Sequence, residues 1–263
     1  LIAHRGVAGA RPENTMAAVE KAIEDGADWV EIDVQETADG EVVVIHDSDF
    51  MKIAGVDLKV WDATMEDIAE IDIGSWFGPD YEAERAPTLR AVLDAAKGRA
   101  GVLIELKYYG HDERLEARVA EIVAAAGMED QVQVMSLKLP GVRKMAGLRP
   151  DWPAGLLASA SLGRVWELDV DFLAVNQAAA SPLLVRKLRE RGKPLYVWTV
   201  DDALSMSAMV SLGASGLITN EPALARDVLA QREALSRGER AVLLLADRLG
   251  VDLERKAYRD DSP

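Results

Sequence analysis

The chain has 263 residues, 49% hydrophobic and 29% charged, enough to bury a sizeable core as one large domain or two small ones. Its 45 acidic residues outnumber the 30 basic ones, for a formal net charge of −15, which argues against a nucleic-acid partner because basic patches carry that affinity. There is no cysteine, so disulfides, thiolate chemistry and cysteine-type zinc sites are excluded.

The first apolar run, residues 1–4, opens a series of strand candidates. The others are 29–34, 42–46, 102–107, 131–136, 154–158, 172–175, 195–199 and 216–219. No run approaches the roughly 20 apolar residues of a membrane span, and no signal peptide is visible. Leu1 is not methionine and already sits in a strand pattern, from which we expect upstream sequence to have been trimmed. Helical patterns fill 15–25, 88–97, 113–126, 182–191 and 202–211. In the first, Met16, Val19, Ala22 and Ile23 make one apolar stripe, and Gly26 stops the helix. "RPENT" at 11–15 leads into it, with Asn14 or Thr15 as cap and Glu13 close to the strand ends.

Strands alternating with helices predict a parallel sheet covered by helices. Nine candidates favour a closed TIM (β/α)8 barrel with one strand, 42–46, to spare. "TADG" at 37–40 predicts a hairpin; if Thr37 pairs with Gly40, Glu31 faces His46. Residues 48–87 break the alternation and are expected to form a small inserted lid subdomain after the His46–Asp47 strand, within a barrel domain spanning 1–235. Residues 236–263, with "ERAVLLLADRL", are expected to form a C-terminal helical tail.

Chemistry-bearing residues gather at the strand candidates. In "VEIDV", Glu31 and Asp33 share one face and Val30, Ile32 and Val34 the other, which suits helix packing outside and carboxylates inside. "IELK" repeats the pattern with Glu105 and Lys107. Three inward acids suit a hard divalent ion, Mg²⁺ or Ca²⁺, and Lys107 an anion bound beside it. An internal salt-bridge cluster is the alternative for one strand alone; two such strands favour the metal. His4 and His46 end their strands, where barrel active sites gather, and suit general acid–base work. Arg5 offers a bidentate donor to phosphate or carboxylate. Gly6 is expected to leave room for a ligand. His111, in "YYGHDER", reads as a solvated loop residue. Trp198, in "YVWTVD", reads as a substrate wall or as core filling.

"AHRG", "RPENT", "VEIDVQETADGEVVVIHD", "GSWF", "PTL", "IELK", "VWTV" and "LITNEP" occur in this order over residues 1 to about 230. In these motifs the chain resembles the glycerophosphodiester phosphodiesterases. The resemblance implies a phosphodiesterase barrel, a divalent metal, and hydrolysis of glycerophosphodiesters to glycerol 3-phosphate and an alcohol. It implies that Glu31, Asp33 and Glu105 hold the metal, that Arg5 and Lys107 neutralise the phosphate, and that His4 and His46 exchange roles as general base and acid. Trp198 would line the glycerol pocket. The attacking group is water or the neighbouring glycerol hydroxyl, the latter giving a cyclic phosphate that water opens. Competing expectations are a phosphodiesterase acting on intact lipid headgroups, with Trp61, Trp76, Phe77 and Tyr81 as an apolar rim, and a non-catalytic phosphodiester-binding barrel. Three places depart from the family: Asn220 stands where Asp is usual, "SDFMKIAG" replaces a basic, threonine-rich run, and no aromatic follows Ser136. The lid resembles that of members whose catalytic domain follows a membrane-embedded region, so such a region upstream is an expectation, tethering the domain to a membrane.

Overall fold

In the computed structural model, which describes residues 1–159 and 163–234, the chain enters with β1 (Ile2–Ala3) and α1 (Met16–Glu24). Thr15 caps α1 by accepting from the Ala18 amide, and Gly26 turns away just beyond its end at φ +76°. β2 (Trp29–Glu36) and the short β3 (Val42–Val44) form an antiparallel hairpin. An excursion follows with β4 (Asp49–Phe50), α2 (Met51–Ala54), β5 (Val56–Lys59) and α3 (Met65–Ala69). The alternation resumes with α4 (Leu89–Ala96), β6 (Gly101–Leu106), α5 (Leu115–Ala126), β7 (Val132–Ser136), α6 (Leu139–Leu148) and β8 (Ala154–Ala158). It closes with β9 (Phe172–Asn176), α7 (Pro182–Arg189), β10 (Leu195–Trp198), α8 (Ala203–Leu212), β11 (Gly216–Thr219) and α9 (Pro222–Ala234).

Eight strands pair in parallel in the order β1, β11, β10, β9, β8, β7, β6, β2, and β2 returns to β1, closing a TIM barrel. Every barrel strand sends a side chain into one interior cluster. Ile2, Trp29, Leu103, Met135, Leu157, Phe172, Tyr196 and Ile218 fill the barrel, so the interior is a plug with a site above it. The alternate residues face the helices: Val30, Ile32 and Val34 pack with Val19, Leu93 and Val119 from α1, α4 and α5. That outward packing is what forces Glu31, Asp33 and Gln35 inward.

Outside the 48–87 excursion, two α-helices among the described residues escaped the sequence patterns. α6 carries Pro140 in its first turn and contains Gly141 and Gly147, which read as breakers, yet proline is well tolerated in a first helical turn. α9 lay between the last strand and the expected tail, and that tail, 236–263, falls outside the described residues. Between β8 and β9, only a 3-10 turn at Val165–Glu167 stands in for a helix among the described residues.

The hairpin register differs from the expected one. Val34 pairs with Val44, and the Thr37 amide donates to the Glu41 carbonyl, so the loop holds three residues rather than two. One residue of register reverses the faces. A continued ladder would aim His46 outward. The strand ends at Val44 instead, with a last bond from the Ile45 amide to the Asp33 carbonyl, and the chain then bends into the barrel mouth. Residues 48–87 pack through Phe50, Val60, Ile68 and Ile73 onto Val43 and Ile45 of this hairpin.

Candidate active site

The site is built on β1, β2 and β6 at the C-terminal end of the barrel. Asp33 and Glu105 are register partners on adjacent strands, and Glu31 lies one inward position below Asp33. Oxygens of these three buried carboxylates lie within 4.8 Å of one another. Like charges so close, removed from water, demand compensating cations. Arg5 Nε lies 3.1 Å from Asp33, and Lys107 Nζ lies 3.1 Å from Glu105 and 3.5 Å from Asp33. Together with Glu13, which pairs with Arg5 Nη1 at 3.0 Å, these carboxylates stand against two cations and leave two formal negative charges, which a divalent ion would offset. The donor set, all oxygen and all buried, fits a hard divalent cation held by Glu31, Asp33 and Glu105.

The electrostatics divide the three acids. Burial, reinforced by Asp33 and Glu105, raises Glu31 well above the usual carboxylate range. Burial also pushes Asp33 up, but Lys107 and then Arg5 outweigh it and hold it far below that range. Glu105 is raised by burial, against the pull of Lys107. Lys107 is raised: Asp33 and Glu105 outweigh the desolvation that would lower it.

The two histidines line the same cavity of about 60 Å³, together with Arg5, Glu31, Glu105 and Trp198. His4 is lowered to about 3, first by burial and then by Arg5, so it is neutral at pH 7. Its Nδ1 lies 2.8 Å from Asn220 Oδ1. His46 Nδ1 lies 2.6 Å from Asp47 Oδ1. The cavity opens into a groove of about 950 Å³ bordered by Asp49, Met51, Lys52, Tyr109, Leu137 and Lys138. Trp198 borders both spaces, and its buried indole N–H finds no acceptor among the described residues.

Several residues that position this site were not assigned to it by sequence reasoning. Asn14, at φ +57°, donates to Asp33 Oδ2 (2.9 Å) and accepts from the Asp33 amide (3.2 Å). Gln35 Nε2 reaches the carbonyls of Ile45, His46 and Asp47 at 3.0, 3.1 and 2.7 Å, and the Tyr109 hydroxyl also donates to the His46 carbonyl. This clasp holds the segment that left the ladder. Gln35 was legible as the next inward position after Glu31 and Asp33; Tyr109 carried no such signal. Glu13 does reach the site, accepting from Arg5 Nη1 at 3.0 Å.

Other expectations are corrected. A Cβ on Gly6, at φ +81°, would lie 2.6 Å from Ala18, so this glycine makes room for α1 rather than for a ligand. His111 is exposed as expected but stacks on Trp61, with ring centroids 4.1 Å apart. Trp76, Phe77 and Tyr81 stack edge to face on one another, and the groove is instead edged by Met51, Tyr109 and Leu137.

Comparison with known proteins agrees with this geometry. The model of the glycerophosphoryl diester phosphodiesterase family matches residues 4–224. A glycerophosphodiester phosphodiesterase of Caldanaerobacter subterraneus is 34% identical over 232 residues, covering 84% of this chain and 94% of that one. One from Bacillus subtilis is 31% identical over 250 residues, covering 85% and 84%. A phosphodiesterase of Oleispira antarctica, solved in complex with its product sn-glycerol-3-phosphate, superposes with a TM-score of 0.83 at 26% identity, covering 87% of this chain and 96% of that one.

Proposed function

The chain belongs to the glycerophosphoryl diester phosphodiesterase family, and from that premise we propose that it hydrolyses glycerophosphodiesters to glycerol 3-phosphate and an alcohol, using one divalent cation, Mg²⁺ or Ca²⁺, and His4 and His46. The catalytic unit is residues 1–235, with 48–87 as a lid whose Asp49, Met51 and Lys52 border the groove. The observation that carries the reading is one cavity lined by Glu31, Glu105, Arg5, Lys107 and both imidazoles, with the Asp33 carboxylate clustered against the two glutamates.

When bound to Glu31, Asp33 and Glu105, the metal supplies Lewis-acid polarisation of phosphoryl oxygens. Arg5 and Lys107 hold the phosphodiester and offset charge that builds on its oxygens. Trp198 N–H donates to a glycerol oxygen. The glycerol hydroxyl next to the ester attacks phosphorus, since it is already positioned there. His4 takes the proton of that hydroxyl, and His46 protonates the departing alcohol oxygen as its bond to phosphorus breaks. A cyclic phosphate results. The histidines then exchange roles: His46 takes a proton from water, which attacks phosphorus, and His4 returns one to the ring oxygen that leaves.

A second reading, action on intact lipid headgroups, draws support from the exposed apolar edge of the groove, where Met51, Tyr109 and Leu137 are 50%, 40% and 49% accessible. Product release from soluble glycerophosphocholine, compared with phospholipid vesicles, decides between them. Turnover of the soluble diester, with a cyclic phosphate visible by phosphorus NMR, is the expected result; turnover of vesicles alone would favour the second reading. Replacing either histidine by alanine is expected to lower kcat by about 100-fold or more, and normal turnover in either variant would refute its assignment.

A further inference from the structure

Asn220 stands at the end of β11, where its side chain bridges His4 and an acid that takes no part in the chemistry above. Asp201, in the loop after β10, accepts three hydrogen bonds. Oδ1 takes the Asn220 amide (2.7 Å) and the Thr219 hydroxyl (3.0 Å), and Oδ2 takes Asn220 Nδ2 (2.7 Å). A carboxylate only accepts, so the Asn220 NH₂ must face Asp201 and its Oδ1 must face His4. A carbonyl oxygen also only accepts. The contact of 2.8 Å between Asn220 Oδ1 and His4 Nδ1 therefore requires the proton on Nδ1.

We propose that Asp201 and Asn220 are positioning residues that fix His4 in the Nδ1-protonated, neutral tautomer, so that Nε2 carries the lone pair and His4 enters the reaction as the base. The assignment of a base rests on the proposed hydrolysis; the tautomer does not. Neither residue needs to touch substrate. The neighbouring Asp202 has a different task, capping α8 through the Ser205 amide. The arrangement also gives the uncommon Asn220 a purpose. Its neutral amide orders the imidazole without adding a charge beside it, whereas His46 is ordered by the carboxylate of Asp47. The two histidines thus differ in kind: one is oriented by a dipole, the other by an ion, matching a base and an acid in the first step.

The geometry dictates a swap experiment. In Asp201→Asn, the carbonyl oxygen of the introduced amide keeps the Asn220 amide and the Thr219 hydroxyl, and its NH₂ faces the Asn220 side chain. Two NH₂ groups cannot face each other, so Asn220 turns over, presents NH₂ to His4 and drives the proton to Nε2. Adding Asn220→Asp restores an acceptor toward both neighbours, and with it the original tautomer. The readout is nitrogen-15 NMR of histidine-labelled protein at pH 7 without substrate. Only three histidines contribute signals, and a His4→Gln spectrum assigns one of them.

Wild type and the double variant are expected to show His4 protonated at Nδ1 alone, and Asp201→Asn at Nε2 alone. On glycerophosphocholine, Asp201→Asn is expected to lose about 100-fold or more in kcat with KM little changed, and the double variant to recover to within about tenfold of wild type. A wild-type His4 protonated at Nε2 or at both nitrogens would overturn the proposal, as would an Asp201→Asn protein with unchanged tautomer and rate. Should Asp201→Asn fail to fold, the wild-type and double-variant spectra still decide. If wild type shows the Nδ1 tautomer but no turnover, the hydrolytic reading fails and the tautomer assignment stands.

Discussion

Glu31 shows the opposition between stability and function on a single side chain. It is buried among Asp33 and Glu105 and is raised well above its ordinary value by that burial and those neighbours. Folding without a metal therefore works against its charge. Glu31→Gln keeps the size and can still accept from the Arg5 amide, which now donates to Glu31 at 2.9 Å. In the presence of chelator this variant is expected to be more stable than wild type, by about 1 kcal/mol or more, while metal-supported hydrolysis is lost. Urea unfolding and an activity assay on the same preparations check both halves; a chelated variant less stable than wild type would contradict the repulsion argument. His4 gives a pH prediction. Its folded value of about 3 lies below the ordinary 6.5, first through burial and then through Arg5. Between those values the unfolded chain binds a proton that the folded protein does not. Stability therefore falls as pH drops from about 6.5, by up to about 1.4 kcal/mol per unit for this one group. Denaturant unfolding of wild type and His4→Gln from pH 6.5 to 4.5 is expected to show the shallower slope in the variant.

At the scale of elements, the hairpin separates what the sequence reveals from what it hides. The inward set Glu31, Asp33 and Gln35 follows from apolar alternation, because Val30, Ile32 and Val34 must face the helices. The loop length is not readable in the same way: "TADG" suits a two-residue turn as well as the three-residue one that forms, and one residue decides where His46 points. The histidine reaches the cavity because the ladder ends at Val44 and Gln35 grips the three carbonyls that follow. Long-range contacts of that kind have no periodic signature, and neither do the bonds from Asn14 to Asp33 or from Asp201 to Asn220. The acidic triad and His4 were legible because period two and a strand end place them, and His46 because its apolar run stops there; of the residues that orient them, Gln35 lies on β2, whereas Asn14, Asp47 and Asp201 sit in loops. Gln35→Met removes the clasp at similar volume. We expect kcat to fall by about 10-fold to 100-fold, since small misplacements of a catalytic group are costly, with thermal stability lowered by about 1–3 kcal/mol from unsatisfied carbonyls. Stopped assays and calorimetry on one preparation test this, and an unchanged kcat would show that the loop holds His46 without Gln35.

Over the whole molecule, closure of the sheet makes the site. β1 has only two residues, so it seals the barrel against Trp29 and Val30 and leaves the rest of that edge of β2 to the hairpin. The plug of Trp29, Leu103, Phe172 and Tyr196 fills the barrel below. Polar groups are confined to the mouth, where a chain of net charge −15 assembles Arg5 and Lys107 against its own acids to receive an anion. In the proposed reaction the acidic triad makes this cavity a phosphodiesterase through a divalent cation. The direct measurement is release of glycerol 3-phosphate from glycerophosphocholine by protein stripped with chelator, then supplied with Mg²⁺ or Ca²⁺. We expect no product in chelator and recovery with at least one ion, in wild type but not in Asp33→Asn. Full activity in excess chelator, or no glycerol 3-phosphate with either ion, would contradict it.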